Sequence, residues 1–491
     1  MTDPAAAPSN RAPQSLGAQV RSAVLWRSGT QILGQLITWG STFLVIRILE
    51  PADYGLFAMT QVILVLLNML NGYGLASAII QRPEVDRHTV RQLFGMLILL
   101  NLALGLAQLL LAPAAAAYYR QPIVADLLRV QALLYLATPF IALPYALLSR
   151  AMDFRHQAQV TLASALAGAI AALAGAWAGL GVWTLVLAPI VLFATRAVGM
   201  TAAARSLMWP SFDFRGAGAV ARYCVLMAAG QLFWFLQSQA DVFIAGRLFD
   251  PHELGIYTTS LFLAQIFVSK FVPPLNEVAF SAYARIQHDR AEVAAAFLKS
   301  VRLIFLVAMP FYLGLAVTAD PLVRVVLGDK WIEAAPIVHL LAFAMPVMTL
   351  HTLFAPACDA QGRPAISARN AATGALLLPA GFLVGVQWGA SGLAWAWIAV
   401  YPVFLAITAW RSLPVIGASA AQVAAAIAPP ALAAAAMAAA VVLVDRATGI
   451  GAPLIRLTLL VAVGGVVYAG WLALFARGPL VEAVALVRGR G

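Results

Sequence analysis

Arg47-Ile-Leu-Glu50-Pro51-Ala-Asp53-Tyr-Gly55-Leu-Phe57 and Arg247-Leu-Phe-Asp250-Pro251-His-Glu253-Leu-Gly255-Ile-Tyr257 are one eleven-residue pattern met twice, two hundred residues apart. Arg, two apolar residues, acid, Pro, any residue, acid, apolar, Gly, apolar and aromatic recur without a gap. The register extends backwards, with Gln31 on Gln231, Thr38 on Ser238 and Phe43 on Phe243. Each copy sits in a short break between long apolar stretches, so the chain carries a duplicated membrane unit, a common way of building transporters. Locally the pattern reads as a corner. Proline disfavours helix in the residue before it, so Glu50-Pro51 and Asp250-Pro251 end helices. Gly55 and Gly255 would let the next helix start tightly, and Asp53 and Glu253 suit its positive N-terminal end. Arg47 and Arg247 would neutralise the C-terminal dipole of the helix they close; a second reading has them meet an anionic ligand.

The rest of the composition agrees. The 491 residues are 62% hydrophobic and 10% charged, with a mean hydropathy of +0.87, where soluble domains carry roughly 25% charged residues. Too few polar groups exist to cover a water-facing surface, which implies a polytopic membrane protein. Residues 1–24, rich in Ala, Pro and Ser, read as a disordered cytoplasmic tail without the apolar core of a signal peptide. The two cysteines, Cys224 and Cys358, fall at predicted cytoplasmic helix ends and imply neither disulfide nor metal cluster.

About 20 apolar residues cross a bilayer as a helix. Fourteen spans fit: 25–46, 56–80, 93–115, 127–148, 158–178, 182–203, 221–246, 255–280, 300–318, 335–357, 366–387, 391–410, 420–443 and 455–476. The expected fold is all-α, with kinks at prolines inside spans such as Pro139, Pro273 and Pro274. With the amino terminus inside, 22 of the 31 basic residues fall on the inner side and 8 on the outer, leaving Lys270 within a span. That asymmetry is the cytoplasmic bias of membrane proteins. The net charge of +11 is then a topology signal that also suits anionic lipids, and needs no nucleic acid. Six spans separate the corners, so both copies run the same way and the repeat axis lies along the membrane normal. Two pseudo-symmetric six-helix lobes follow, 25–203 and 221–410. A cytoplasmic linker at 204–220 joins them, a helix pair at 420–476 lies outside the duplication, and 477–491 is a second cytoplasmic tail. Both termini are expected in the cytoplasm.

Polar residues inside spans mark candidate sites. Gln31, Gln35, Thr38 and Thr42 lie on one face of span 1. Span 7 has Gln231, Trp234, Ser238 and Asp241; span 2 has Gln61, Asn68 and Asn71; span 8 has Gln265, Ser269 and Asn276. Lipid offers such groups no partner, so they turn inward, either to bond neighbouring helices or to line a cavity. Equivalent stripes in both halves favour a shared polar cavity. Ionised side chains within a span cost about 2.5–3.5 kcal/mol on insertion scales, so Asp241, Lys270 and Glu277 need partners or water. Three roles are open: Lys270 holds an anionic group, Asp241 or Glu277 takes a proton or Na⁺, or Asp241 and Lys270 form a structural pair.

The corner at 47–57, Gly-Tyr-Gly-Leu-Ala-Ser-Ala-Ile-Ile-Gln-Arg at 72–82, Gly-Val-Trp at 181–183, Ile-Ala-Gly-Arg at 244–247, Ser281-Ala-Tyr-Ala-Arg285 and Leu327-Gly-Asp-Lys-Trp331 follow one another in an order that resembles the polysaccharide transporter family. These are the Wzx-type flippases of the multidrug/oligosaccharidyl-lipid/polysaccharide superfamily. The resemblance covers about 22–410. It implies a flippase of the bacterial inner membrane that moves a polyprenyl-diphosphate-linked oligosaccharide outward by alternating access, for O-antigen, capsule or exopolysaccharide assembly. It also implies a cavity lined by spans 1, 2, 7 and 8, with cations for the diphosphate: Arg27, Arg47, Arg247 and Lys270. A monomer is expected to suffice, with membrane lipids around it, polymerase and glycosyltransferases as partners, and no cofactor. Spans 13 and 14 would guide the polyprenyl chain or pack against the second lobe.

Two other classes compete. A polymerase or ligase of the same pathway needs a sizeable outer loop, whereas the longest here, about 319–334, reads as a solvated connector carrying Asp320, Arg324, Asp329, Lys330 and Glu333. An ion-coupled multidrug antiporter of the same superfamily is the alternative transporter. No Cys/His metal spacing, phosphate-binding Gly loop or nucleophile elbow is present, so the chain is not read as an enzyme.

Overall fold

The computed structural model describes residues 16–69, 86–213 and 218–475, with side chains at 30 and over 33–69, 86–213 and 232–475. The terminal tails, the 72–82 motif, Asn71 and the side chains of Arg27, Gln31 and Gln231 lie outside the described residues. Among the described residues the regular structure is helical throughout. The helices are Leu16–Ile48 (α1), Pro51–Asn68 (α2), Arg87–Tyr119 (α3), Ile123–Gln131 (α4), Leu133–Ala137 (α5), Pro139–Arg150 (α6), Phe154–Trp177 (α7), Val182–Ala204 (α8), Gly218–Leu248 (α9) and Pro251–Lys270 (α10). They continue with Val272–Arg285 (α11), Arg290–Val317 (α12), Ala319–Val326 (α13), Ala334–Thr352 (α14), Phe354–Ala360 (α15), Pro364–Gly385 (α16), Gly389–Ile416 (α17), Ala420–Thr448 (α18) and Pro453–Phe475 (α19). Among the described residues eleven stretches are long and apolar enough to cross a membrane, and the first helix adds the shorter apolar segment Leu33–Ile48. The chain is a multi-pass membrane protein.

Kinks fall where proline removes a backbone donor. The predicted fourth span is broken into α4, α5 and α6, with Pro139 opening α6. The predicted eighth span breaks at Phe271, just before Pro273 and Pro274. Pro189, Pro310 and Pro346 are instead absorbed inside unbroken helices.

Contacts group the chain into two units. One takes the chain up to Val45, Leu70–Ala112 and Asp126–Cys224; the other takes Ile46–Met69, Pro113–Ala125 and Val225 onward. In the first unit α7 packs on α8 and α6 on α8, and an apolar cluster of Leu93, Phe94, Leu97, Leu143 and Ala146 joins α3 to α6. The predicted linker docks in this unit: Arg91 accepts from the Ser211 amide through its carbonyl (2.9 Å) and donates through Nε to the Trp209 carbonyl (2.9 Å).

The second unit contains both corners, and they pack on each other. Glu50 and Asp250 are extended N-caps, Pro51 and Pro251 open the helices, the Glu50 carbonyl takes the Asp53 amide (3.1 Å) and the Asp250 side chain takes the Glu253 amide (2.8 Å). Helix starts are thus set by proline and acid, and the glycines do something else. A Cβ on Gly55 would fall on the Pro251 carbonyl oxygen and 3.0 Å from the Gly255 nitrogen; a Cβ on Gly255 would fall on the Pro51 carbonyl oxygen. The two glycines let α2 and α10 meet backbone to backbone. The duplicated arginines differ from expectation as well. Each caps another helix: Arg47 donates to the Val325 carbonyl of α13 (2.8 Å), and Arg247 donates to the Ala117 and Tyr118 carbonyls of α3. Carbonyls in a last helical turn have no partner in their own helix, and a cation there also meets the negative dipole end. Asp53 returns to its own cap, accepting the Glu50 amide (3.1 Å), whereas Glu253 accepts the Ala390 amide at the start of α17 (2.9 Å).

The 319–334 connector is not simply solvated. It folds as α13, with Ala319, Pro321 and Val323 buried, and ends in the fully buried Trp331. Trp331 donates to the Ile46 carbonyl (2.9 Å). Lys330 donates to the Ile48 carbonyl (2.6 Å) and pairs with Glu50 (3.1 Å). Arg324 pairs with Asp320 and Asp329, and His252 meets Glu333 (3.1 Å). The tail hairpin joins the same end: Arg456 holds both carboxylate oxygens of Asp445 (2.6 and 2.8 Å) and reaches Asp320 (2.9 Å). Below this, α18 packs along α12 and α19, with Met437, Val441 and Leu460 at the seam and Tyr468 donating to the Leu306 carbonyl (2.7 Å).

Candidate functional site

A cavity of about 580 Å³ opens inside the second unit, walled by α9, α10, α14, α16 and α17. That is within the usual range for small-molecule sites, about 300–1,000 Å³. Ser238 and Gln265, two of the sequence candidates, line it together. So do Gln237, Gln239, His351, Asn370 and Thr408, which the sequence reading passed over. One wall is aromatic. Trp397 stacks on Tyr401 (centroids 5.2 Å, planes 13° apart), and His351 meets Phe404 at 4.2 Å. Trp234 stands at the lining half in the open, 53% exposed. Among the described residues, no carboxylate, ammonium or guanidinium group lines it.

Asp241 lies behind this wall, fully buried. One carboxylate oxygen accepts from the Tyr257 hydroxyl (2.7 Å) and the other from the Val242 amide (2.8 Å). Trp397 Nε1 in turn donates to the Tyr257 oxygen (2.9 Å). A continuous chain therefore runs from the lining indole through a phenol to a buried carboxylate. The pairing of Asp241 with Lys270 is not formed among the described residues. Lys270 is exposed at the last position of α10, and Glu277 is exposed on α11. Both lie off the cavity lining.

The remaining candidates are scattered. Gln35 and Gln61 are half-buried. Asn68 is exposed at the end of α2. The Thr38 hydroxyl is spent on the Gly34 carbonyl (2.8 Å), and Ser238 donates weakly to Phe235 (3.4 Å). Asn276 donates to the carbonyl of Thr352 (3.1 Å), itself a lining residue. Arg47 and Arg247 are committed to carbonyls at the corners, and neither lines the cavity.

Two signals would have found the missed residues. His351 is ionisable and within a span, which marks a functional position by default. The copies also diverge together: position 241 is Asp against Ser41, and position 257 is Tyr against Phe57. The hydroxyl and the carboxylate that meet in the second copy are both missing from the first.

Bent, proline-broken membrane helices with a back-to-back duplicated corner and a polar cavity among apolar walls define a membrane transporter fold. It superposes on the lipid II flippase MurJ in its inward closed conformation with a TM-score of 0.75 at 12% identity, covering 92% of this chain and 99% of that one. The chain belongs to the polysaccharide biosynthesis protein family, whose pattern matches residues 44–336. It is 26% identical over 342 residues to the succinoglycan biosynthesis transport protein ExoT of Rhizobium meliloti (strain 1021), 69% of each chain. It is 24% identical over 380 residues to the lipopolysaccharide biosynthesis protein WzxC of Escherichia coli (strain K12), 77% of each chain.

Proposed function

We propose that this chain is a flippase for a lipid-linked oligosaccharide, moving the sugar headgroup across the membrane while the lipid tail stays in the bilayer. The observation that carries this reading is a polar, uncharged cavity set among membrane helices in a member of the polysaccharide biosynthesis family. Family membership and the transport role in the name of ExoT favour it over the drug antiporter and the membrane enzyme. A hydrated headgroup taken unaided through hydrocarbon would lose its hydrogen bonds at several kcal/mol per unsatisfied group. A lined cavity exchanges those bonds for amide, hydroxyl and indole partners and lowers the barrier.

In the full proposal, fourteen spans form lobes at 25–203 and 221–410 that rock past each other, with spans 13 and 14 as an added pair. The bias of basic residues supports cytoplasmic termini, and the family supports a bacterial inner membrane. The locked corners are then the outer gate in its closed state. Opening requires releasing Arg47 from Val325, Lys330 from Glu50 and Ile48, and Gly55 from Pro251. Asp241, reached through Tyr257 and Trp397, is the proposed site of proton or Na⁺ coupling, with Glu277 as a second candidate. Lys270 and Arg27 are the cations proposed for the diphosphate. The monomer is the working unit, served by glycosyltransferases and followed by a polymerase.

Deleting the gene in a strain with no second flippase tests this. Surface glycan should disappear while lipid-linked glycan accumulates on the inner leaflet, and the wild-type gene should restore both. Normal surface glycan in that strain overturns the proposal.

A further inference from the structure

We infer that the cavity of the second unit is a binding site for uncharged sugar rings, separate from whatever holds the diphosphate; this deepens the flippase reading and rests on it. Three observations on the cavity carry the inference. The first is charge. Among the described residues no carboxylate, ammonium or guanidinium group lines it, and the guanidinium of Arg411 stands behind Asn370 and is anchored on Thr373. A diphosphate or a drug cation entering it would therefore give up hydration for no counter-charge in the lining, a penalty of several kcal/mol per ion.

The second is the pattern of polarity. Gln237, Gln265, Asn370 and Thr408 are spaced around a wall formed by Trp397 and Tyr401. Neutral donors and acceptors beside aromatic side chains, with the half-exposed Trp234 also at the lining, match a pyranose, which carries hydroxyls at its rim and C–H groups on its faces. An isoprenoid chain matches poorly, because it would bury these amides and hydroxyls without partners.

The third is an unmet group. Asn370 is held in place from behind, donating to Ser412 (3.2 Å) and accepting from Arg411 (3.4 Å), and Arg411 is anchored on Thr373 (2.7 Å). Gln237 is likewise braced on the Ala371 carbonyl (3.0 Å). Thr408 is different. It is 1% exposed and lines the cavity, and its hydroxyl has no hydrogen-bond partner among the described residues. A threonine there could bond its own helix one turn back, as Thr373 and Thr258 do. Leaving a buried hydroxyl unpaired costs about 1–3 kcal/mol, so a ligand hydroxyl or a water has reason to sit against it. Gln265 is nearly as free, with only a long contact to the Met348 sulfur (4.0 Å) among the described residues.

The test uses the full-length protein in lipid nanodiscs and two probes: undecaprenyl diphosphate, and the lipid-linked oligosaccharide extracted from the deletion strain. Binding is measured for the wild type, Thr408→Val, Gln265→Leu and Thr408→Ser. Each of the first two variants should bind the sugar-bearing lipid about tenfold more weakly, the loss of one hydrogen bond to a site built for it. Both should bind undecaprenyl diphosphate as the wild type does, and Thr408→Ser should restore sugar binding. Thr408→Val should also melt at or above the wild-type temperature, because it removes an unpaired buried hydroxyl, so weaker binding cannot be assigned to misfolding. Wild-type affinity of Thr408→Val and Gln265→Leu for the sugar-bearing lipid, or parallel loss of both lipids, overturns the inference and leaves the flippase reading standing. A wild-type protein that binds the two lipids equally overturns the inference as well, whereas the flippase reading falls only with normal surface glycan in the deletion strain.

Discussion

Replacing Gly255 with alanine adds one methyl group at the point where the two copies of the duplicated corner touch. In an exposed helix interior this change is favourable by about 1 kcal/mol, since alanine is the better helix former. Here the sign should invert. The added Cβ would land on the Pro51 carbonyl oxygen, well inside the 3.0 Å below which Cβ contacts essentially do not occur. The obstacle is backbone held by a capped helix start, so no side chain can rotate away. The helices must separate, and overpacking of this kind costs about 1–3 kcal/mol. The propensity gain is common to the sealed and the open state and cancels between them, so the sealed state should lose about 1–3 kcal/mol relative to an open one, a shift of roughly 5–150-fold in their ratio. The assay is labelling of a single cysteine at Met59, which is fully buried under the seal, by a membrane-impermeant maleimide in a background lacking Cys224 and Cys358. Gly255→Ala and Gly55→Ala should each speed labelling by that factor. The double variant should add little, because helices already parted for one methyl have room for the other. Gly465→Ala, with nothing within 4 Å of its added Cβ, should leave the rate unchanged. Wild-type labelling and an undiminished melting temperature in Gly255→Ala would refute the back-to-back corner as the seal.

Further outcomes follow from the same contacts. Tyr257→Phe removes the hydroxyl between Asp241 and Trp397 and leaves a buried carboxylate short of a donor; thermal unfolding in detergent should show a loss of about 1–3 kcal/mol, accompanied by reduced surface glycan. Asp241→Asn and Lys270→Ala should insert normally, as judged by membrane-fraction blots, yet fail to restore surface glycan in the deletion strain; full restoration by both would remove them from the proposed site. Trp331→Phe replaces the buried indole with a smaller ring and deletes the donor to the Ile46 carbonyl, so it should lower stability by more than the about 1 kcal/mol of that hydrogen bond and speed the Met59 cysteine label. Arg456→Ala should cost no more than about 1 kcal/mol because the ion pairs with Asp445 and Asp320 are partly exposed, and a double-mutant cycle with Asp445→Asn should recover that coupling in low salt.

Some of the site was legible from one sequence and some was not, and the residues show why. Intramembrane polarity is a sound guide to a residue's importance, because hydrocarbon forces every such group to find a partner. It singles out Asp241, Gln265 and Ser238, of which Gln265 and Ser238 line the cavity and Asp241 bonds to Tyr257 behind its wall. It does not say which partner is found: Thr38 spends its hydroxyl on its own helix, while Asp241 takes Tyr257 from the helix that follows. Stripe reasoning also weighted α1 and α2 because their polar residues recur at helical spacing. His351, Asn370 and Thr408 come singly from three helices and form no stripe, yet they converge on one cavity. The connector at 319–334 misled for a related reason. Its charges are frequent enough to suggest solvent, but an amphipathic helix of eight residues carries Asp320 and Arg324 with Val323 inward, and the turn Asp329–Trp331 that follows buries Trp331.

What the sequence determined by itself was the membrane character, the helical class, the duplication and the corners, since these rest on composition, on the length needed to cross a bilayer and on proline geometry, all of them local. What only the tertiary structure decided was the use of those parts. Whether a glycine relieves a turn or admits another backbone, which helix end an arginine caps, and whether a polar side chain faces a helix or a cavity depend on neighbours up to about three hundred residues away, as Arg47 and Val325 illustrate. Such contacts are set by packing, and no periodicity along the chain encodes them.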